Sequence, residues 1–236
     1  MKIISIANTT GGSGKSTTAL AIAVAAAEYG RNVLLIDLDE RANLTFQLAI
    51  ENPRFTMLEV ATGASSADLA IIRTNERVDF LSAAPRITAL DTAEISSENL
   101  KQKFNHYDLV VIDTSSALNQ RLSLAAKISD AVLYVCTDSL LAVRGVVLAN
   151  VFFKEVASLG VLPIMTTDQT QSISVLSGDF KVIDPAIPID ESVVSAQIEN
   201  KSVLNHGKTA AASDAYRDVT YFLLEELFGS KANATL

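Results

Sequence analysis

Residues 8–17 read "NTTGGSGKST", a stretch whose residue types could hold a phosphate chain. It falls one residue short of the pattern G-x-x-x-x-G-K-[ST], because Thr9 stands where that pattern opens on glycine. Gly11, Gly12 and Gly14 let successive backbone N–H groups, that of Ser13 included, curl around an anion with no Cβ in the way. Lys15 would reach the β- and γ-phosphates, and the Ser16 hydroxyl would ligate Mg²⁺. Thr17 and Thr18 continue the first helical turn and could touch the α-phosphate. The alternative is a glycine-rich turn without a ligand.

Two further polar clusters could complete such a site. "DLDERAN" places Asp37 and Asp39 at the end of an apolar run, and alternation along a strand would turn both carboxylates to one side. One could hold a metal-bound water while the other orients the water that attacks the γ-phosphate. "DTSSALN" opens on Asp113 after "LVVI", a strand-end acid suited to supporting magnesium through a water. Alone, a strand-end aspartate means little.

The elements that must position these clusters alternate along the chain. Strands are expected at 2–7, 32–37, 78–83, 108–113, 131–136 and 161–166, and helices at 15–30, 141–158 and 213–228. Apolar runs of this length suit strands buried on both faces, and their alternation with helices predicts an α/β fold. The expected architecture is a mostly parallel twisted sheet with helices on both faces, in one domain over 1–236. Ligands of such sheets bind beyond the carboxyl ends of the strands, where all three clusters fall.

Composition narrows the functional classes. Of 236 residues, 49% are apolar, enough for a large core, and no Pro/Gly/Ser-rich linker or repeat divides the chain. The formal net charge is −8, so nucleic acid would have to be held by a local basic patch. The single cysteine, Cys136, lies in "AVLYVC" and reads as a buried structural thiol in a reducing compartment. The opening "MKIISIA" lacks the apolar core of a signal peptide, and no run approaches the ~18 apolar residues of a membrane span.

Together the clusters resemble the ParA/MinD family of deviant Walker ATPases, over nearly the whole chain. "VLLIDLDERAN" is similar to that family's V-L-L-I-D-x-D-P-Q-G-N, and "YDLVVIDTSSAL" to its Y-D-x-I-I-I-D-x-P-P-S-L. The resemblance implies a P-loop NTPase fold, ATP and Mg²⁺ as cofactors, and hydrolysis within an ATP-dependent homodimer. It implies Asp39 and Lys15 as catalytic residues with Asp37, metal contacts from Ser16, Asp37 and Asp113, and adenine contacts from Thr166, Thr167, Asp168, Pro188 and Ile189. It further implies the positioning of a cargo, a plasmid or protein body, through a separate adaptor protein on nonspecific DNA. The location would be cytoplasmic and nucleoid-associated.

The chain also departs from the pattern. The family's signature lysine, which reaches the partner's nucleotide, is replaced by Thr10, too short and uncharged for that contact. The carboxysome-positioning branch is similar in lacking that lysine. Glu40-Arg41-Ala42 stands for P-Q-G, Ser115-Ser116 for the paired prolines, and Ala211 where DNA-partition relatives often carry arginine. Lys154, and after it Arg41, are the cations expected to replace the lysine across the dimer. Two alternatives compete: a MinD-like membrane-surface ATPase and a metabolic ligase on the same core. The C-terminal "YRDVTYFLLEELFGSKANATL" carries Asp218, Glu225 and Glu226 and suits anionic lipid poorly, so no membrane partner is expected.

Overall fold

The computed structural model describes residues 1–166 and 171–229. Among them the strands are β1 (Lys2–Ala7), β2 (Val33–Asp37), β3 (Ile71–Arg73), β4 (Asp79–Leu81), β5 (Leu109–Asp113), β6 (Ala131–Cys136), β7 (Ala157–Thr166) and β8 (Ile187–Pro188). The helices are α1 (Lys15–Glu28), α2 (Asn43–Gln47), α3 (Met57–Thr62), α4 (Ala67–Ala70), α5 (Ser97–Gln102), α6 (Gln120–Ile128), α7 (Leu140–Phe153), α8 (Glu191–Ile198), α9 (Val203–His206) and α10 (Ala211–Phe228). Short 3-10 helices cover Pro85–Asp91 and Ile173–Gly178.

The strands form one sheet in the order β3-β4-β2-β5-β1-β6-β7-β8, parallel throughout except for the antiparallel edge pair β3–β4. Each strand alternates between two cores. Ile3, Leu34, Ile36, Val110 and Ile112 face the side covered by α6 and α7. Ile4, Ile6, Leu35, Leu109 and Val111 face the side covered by α1 and α10. Two-sided burial explains the lack of polar alternation in these runs.

This alternation decides where the strand-end acids go. Asp37 follows Leu35, and Asp113 follows Val111, so both belong to the α1 side, and they are register partners across β2–β5. β1 sits between β5 and β6, so the chain leaving β1 crosses the sheet where its connections diverge. Gly30 closes α1 in the left-handed region (φ 78°), as its place after the alanine-rich run predicts.

α7, β3 and β8 differ most from expectation. α7 stops at Phe153, not 158, because β7 begins at Ala157, where Ala157 pairs with Ala131: sheet pairing overrides helical periodicity. β3 and β8, of 3 and 2 residues, are too short to show a period. α10 spends its apolar face on α1, where Tyr216 meets Thr18 at 3.0 Å and Arg217 pairs with Glu28 at 2.8 Å. No helix of the described residues is long and apolar enough to cross a membrane.

β7 carries an irregularity against β6, and its Gly160 has φ 118°. A Cβ there would lie 2.5 Å from the backbone carbonyl oxygen of Lys181. Gly160→Ala should therefore cost about 2 kcal/mol or more of unfolding free energy, read as a lower urea midpoint.

Candidate functional site

The loop between β1 and α1 is pinned before it reaches the glycines. Asn8, 1% exposed, donates to the carbonyls of Val135 (2.7 Å) and Ala142 (3.1 Å) and accepts the Thr10 N–H (2.7 Å). The Thr10 hydroxyl donates to the Leu141 carbonyl at 2.9 Å, and the Thr9 N–H to Gly145. Gly145 is required there, because a Cβ would run into the Asn8 side chain. The position of the family's lysine thus ties the loop to the first turns of α7.

Beyond this anchor, Gly12 and Gly14 both adopt left-handed φ, 73° and 75°. A side chain on Gly14 would also collide with Ile164, so the backbone forms an open cradle ahead of α1. Lys15 is 6% exposed. Its ammonium donates to Ser116 Oγ (2.7 Å), the Thr10 carbonyl (3.2 Å) and Ser13 Oγ (3.3 Å). Burial lowers its pKa, while Asp113 and Asp39 counter that drop.

The two acids after β2 are placed differently. Asp37 is fully buried and accepts the Asp39 N–H (2.9 Å), the Thr45 N–H (3.1 Å) and the Thr45 hydroxyl (2.8 Å). Desolvation still pushes its pKa up to about 6. Asp39 lines the cleft with Gly12–Thr17, Arg41, Asn43, Ser116 and Gln197 around a volume of about 410 Å³. The sequence expectation of two carboxylates facing one mouth is corrected: Asp39 faces it, and Asp37 is turned inward to fasten the α2 segment.

Asp113 is fully buried, and neither carboxylate oxygen has a hydrogen-bond partner. Desolvation and then Asp37 raise its pKa well above the usual range; Ser16 and Lys15 ease this only in part, since no donor meets hydrogen-bond geometry. An orphaned carboxylate behind Ser16 is the arrangement a hydrated divalent cation would satisfy. Ser16 and Asp113 therefore fit Mg²⁺, with Asp37 adding charge from behind.

A second, apolar slot of about 310 Å³ adjoins the cleft and shares Gly14, Thr17, Met165 and Gln197 with it. Ile164, Ile187, Pro188, Ile189 and Val193 line it, so two of the five expected base contacts sit where a planar ring would fit. Thr166 does not line the slot; its hydroxyl and carbonyl fasten β8 to β7. Thr167 and Asp168 lie outside the described residues. Thr17 faces the slot and meets Gln197 at 3.1 Å, whereas Thr18 is turned into the core against Tyr216. The expected phosphate contact from Thr18 is thereby corrected.

Lys154 does not line the cleft of its own chain. It caps the far end of α7, 72% exposed and 3.9 Å from Glu155, while Leu141 at the near end touches Thr10. Fourteen residues at ~1.5 Å each put about 20 Å between those ends. Arg41, at the cleft, and Arg144, exposed beside Gly145, are the cations next to the loop. Arg121, which sequence reasoning missed, is buried and bound to Glu40 and Asp91. Its signal was an arginine heading the apolar stripe Leu124, Ala125, Ile128 of α6. Cys136 is buried as expected, its thiol pushed up to about 12 by desolvation.

A family model described as an AAA domain matches residues 1–159. A ParA family protein of Chlamydia muridarum is 26% identical, the match covering 95% of this chain and 98% of that one. The chain belongs to the ParA/MinD family of deviant Walker ATPases. An ATP-binding protein of Methanocaldococcus jannaschii is 28% identical, over 91% of this chain and 84% of its own. Among solved structures, cobyrinic acid a,c-diamide synthase from Mycobacterium smegmatis with ADP and magnesium matches with TM-score 0.80 at 25% identity, over 98% and 97% of the two chains. MinD from Pyrococcus horikoshii with Mg-ADP gives 0.85 at 21% identity, over 100% and 99%. McdA from Cyanothece gives 0.81 at 20%, over 95% and 99%. The last two likenesses concern the fold.

The raised pKa of Asp113 has a consequence for stability. A carboxyl whose folded pKa exceeds its unfolded 3.8 contributes stability below that pH and loses it as pH rises. Asp113→Asn should thus raise the melting temperature of the protein without nucleotide at pH 8, and by less at pH 4. Each kcal/mol is ~2–4 °C for a chain of this size, and calorimetry at both pH values reads it. An equal gain at both would contradict the burial argument.

Proposed function

We propose that this chain is an ATPase that dimerises on binding ATP with Mg²⁺ and uses that cycle to position or partition a cargo over nonspecific DNA. The observation that carries this reading is the convergence of Lys15, Ser16 and Asp39 on one cleft that opens into an apolar slot. The triphosphate lies along Gly11–Thr17, with the base in the slot against Pro188 and Ile189. Lys15 exchanges its contact with Ser116 for phosphate oxygens. Ser16 and Asp113, with Asp37 behind, would hold a hydrated Mg²⁺, which would supply positive charge against that developing on the phosphates. Asp39 accepts a hydrogen bond from the attacking water and orients it for in-line attack.

The cargo is a plasmid complex or a carboxysome-like protein body, engaged through a separate adaptor, and the protein works in nucleoid-associated cytoplasm. A relative from Thermus thermophilus, the chromosome-partitioning ATPase Soj, is 27% identical over 91% of this chain and 92% of its own, and its name supports partition. The MinD-like membrane alternative is disfavoured, since α10 spends its apolar face on α1. Sedimentation with DNA and with anionic liposomes, each with and without ATP, tests the choice. ATP-dependent pelleting with DNA alone is expected. Pelleting with liposomes would favour the membrane reading, and hydrolysis that depends on an added carboxylic acid and an amine source would favour a ligase.

Lys15→Ala should abolish nucleotide binding by titration calorimetry, because no other buried cation lines the cleft among the described residues. Asp39→Ala should bind ATP normally, hydrolyse it ~10²-fold more slowly or worse, and accumulate as a dimer in light scattering. The cation that stands in for the signature lysine should be Arg41 or Arg144. Lys154→Ala is expected to dimerise with ATP like the wild type, while one of the two arginine-to-alanine variants fails to. Failure of Lys154→Ala alone would return the role to Lys154.

A further inference from the structure

Arg121 is the second residue of α6, 3% exposed, and it ties together three chain segments. Its Nη1 donates to Glu40 Oε2 at 2.8 Å, in the segment that follows β2. Its Nε and backbone N–H both donate to Asp91 Oδ1 at 3.1 Å, at the end of the 3-10 helix that follows β4. The same Glu40 oxygen accepts the Ser115 hydroxyl at 3.0 Å, in the segment that follows β5. Glu40 is bonded directly to Asp39, and Ser115 to Ser116, which receives the Lys15 ammonium. One guanidinium therefore holds the residue beside the cleft acid and, through one shared oxygen, the residue beside the lysine's partner.

The links through Glu40 could not form with the family's residues. Proline at position 40 has no carboxylate to receive Arg121, and proline at 115 has no hydroxyl to donate. The departures at 40 and 115 are complementary halves of one partly buried contact.

We propose that Arg121 is a positioning residue for hydrolysis: through Glu40 and Ser115 it fixes the backbone that aims Asp39 relative to the backbone that bears Ser116. The inference rests on the ATPase reading above. Arg121 does not line the cleft, so its loss misaims Asp39 without emptying that cleft. A misplacement approaching 1 Å costs up to ~10²-fold in rate, whereas phosphate contacts made by the loop are untouched.

Turnover and nucleotide affinity of the full chain would be measured for Arg121→Met, Arg121→Lys, Glu40→Gln and the Arg121→Met/Glu40→Gln double variant. Expected are a kcat about tenfold or more below wild type in Arg121→Met, unchanged affinity for an ATP analogue, and partial rescue in Arg121→Lys. The double variant should be no slower than the slower single one, since both break the same link. Arg121→Met turning over within twofold of wild type, additive losses, or a loss confined to affinity would overturn the inference. Should Arg121→Met fail to fold, Ser115→Ala decides, because it removes one hydroxyl and leaves both ion pairs. A kcat several-fold lower supports the link, and an unchanged kcat overturns it. A wild type that binds no ATP removes the ATPase reading itself, whereas a wild type that hydrolyses ATP beside unaffected variants removes only the role of Arg121.

Discussion

Two aspartates at register on neighbouring strands, both wholly out of water, set the terms for everything around them. Asp37 and Asp113 are forced together by the β2–β5 pairing and onto the α1 side by the twofold alternation of their strands. Like charges in such a place raise one another's pKa and need cations. Asp37 is eased by three donors, which at the same time fix the start of the α2 segment. Asp113 has none, so its compensation must come from Lys15 and from whatever binds in front of Ser16. A fold that leaves a buried carboxylate unpaired gives up stability at a place where a bound cation restores it.

Lys15 is held in that balance from the other side. Burial favours its neutral form, the acids favour its charge, and its hydrogen bonds go to groups that are themselves mobile in role: a loop carbonyl, a loop hydroxyl and Ser116. Each is a weaker partner than a phosphate oxygen, with which an ammonium makes charge-assisted bonds. The cradle is stiff where Asn8 and Thr10 hook it to α7, and exchangeable where Lys15 meets Ser116. Stiffness and exchange are thus divided between the two ends of a single loop.

Most of this site was legible in the sequence, because glycines, a lysine and strand-end acids have few other uses in that order. The sheet and the side of the molecule that carries the cleft followed from uninterrupted apolar runs. What escaped was set by tertiary contact. Thr18 and Thr17 are adjacent and chemically alike, yet α10 claims one and the cleft the other. Asp37 and Asp39 share a parity, but the chain leaves the strand between them, so parity no longer fixes direction. Lys154 looked eligible because it ended an apolar helix, and in one copy of the chain it lies at the end of α7 away from Thr10. The lengths of β3 and β8 fall below what any period can reveal.

The departures from the family pattern carry a different lesson, because they cannot be read one at a time. Thr10 taken alone is a missing charge; in the structure it is a hydroxyl bound to Leu141 that helps moor the loop. Ala42 taken alone replaces a glycine, and it occupies the left-handed conformation that glycine favours (φ 50°), a strain borne at the N-terminus of α2. The Ala42 N–H still reaches the Asp39 carbonyl at 3.0 Å, and the Arg41 N–H the Asp39 carboxylate at 2.9 Å. The turn after β2 is therefore closed by backbone N–H groups donating to Asp39, with neither proline nor glycine in it. With the turn defined by the backbone, the side chains at 40 and 41 are free to differ. Glu40 turns toward Arg121 and Ser115, and Arg41 toward the cleft. Where proline would lend local rigidity to the turn, Glu40 instead makes a long-range polar tie to α6 and to the segment that follows β5.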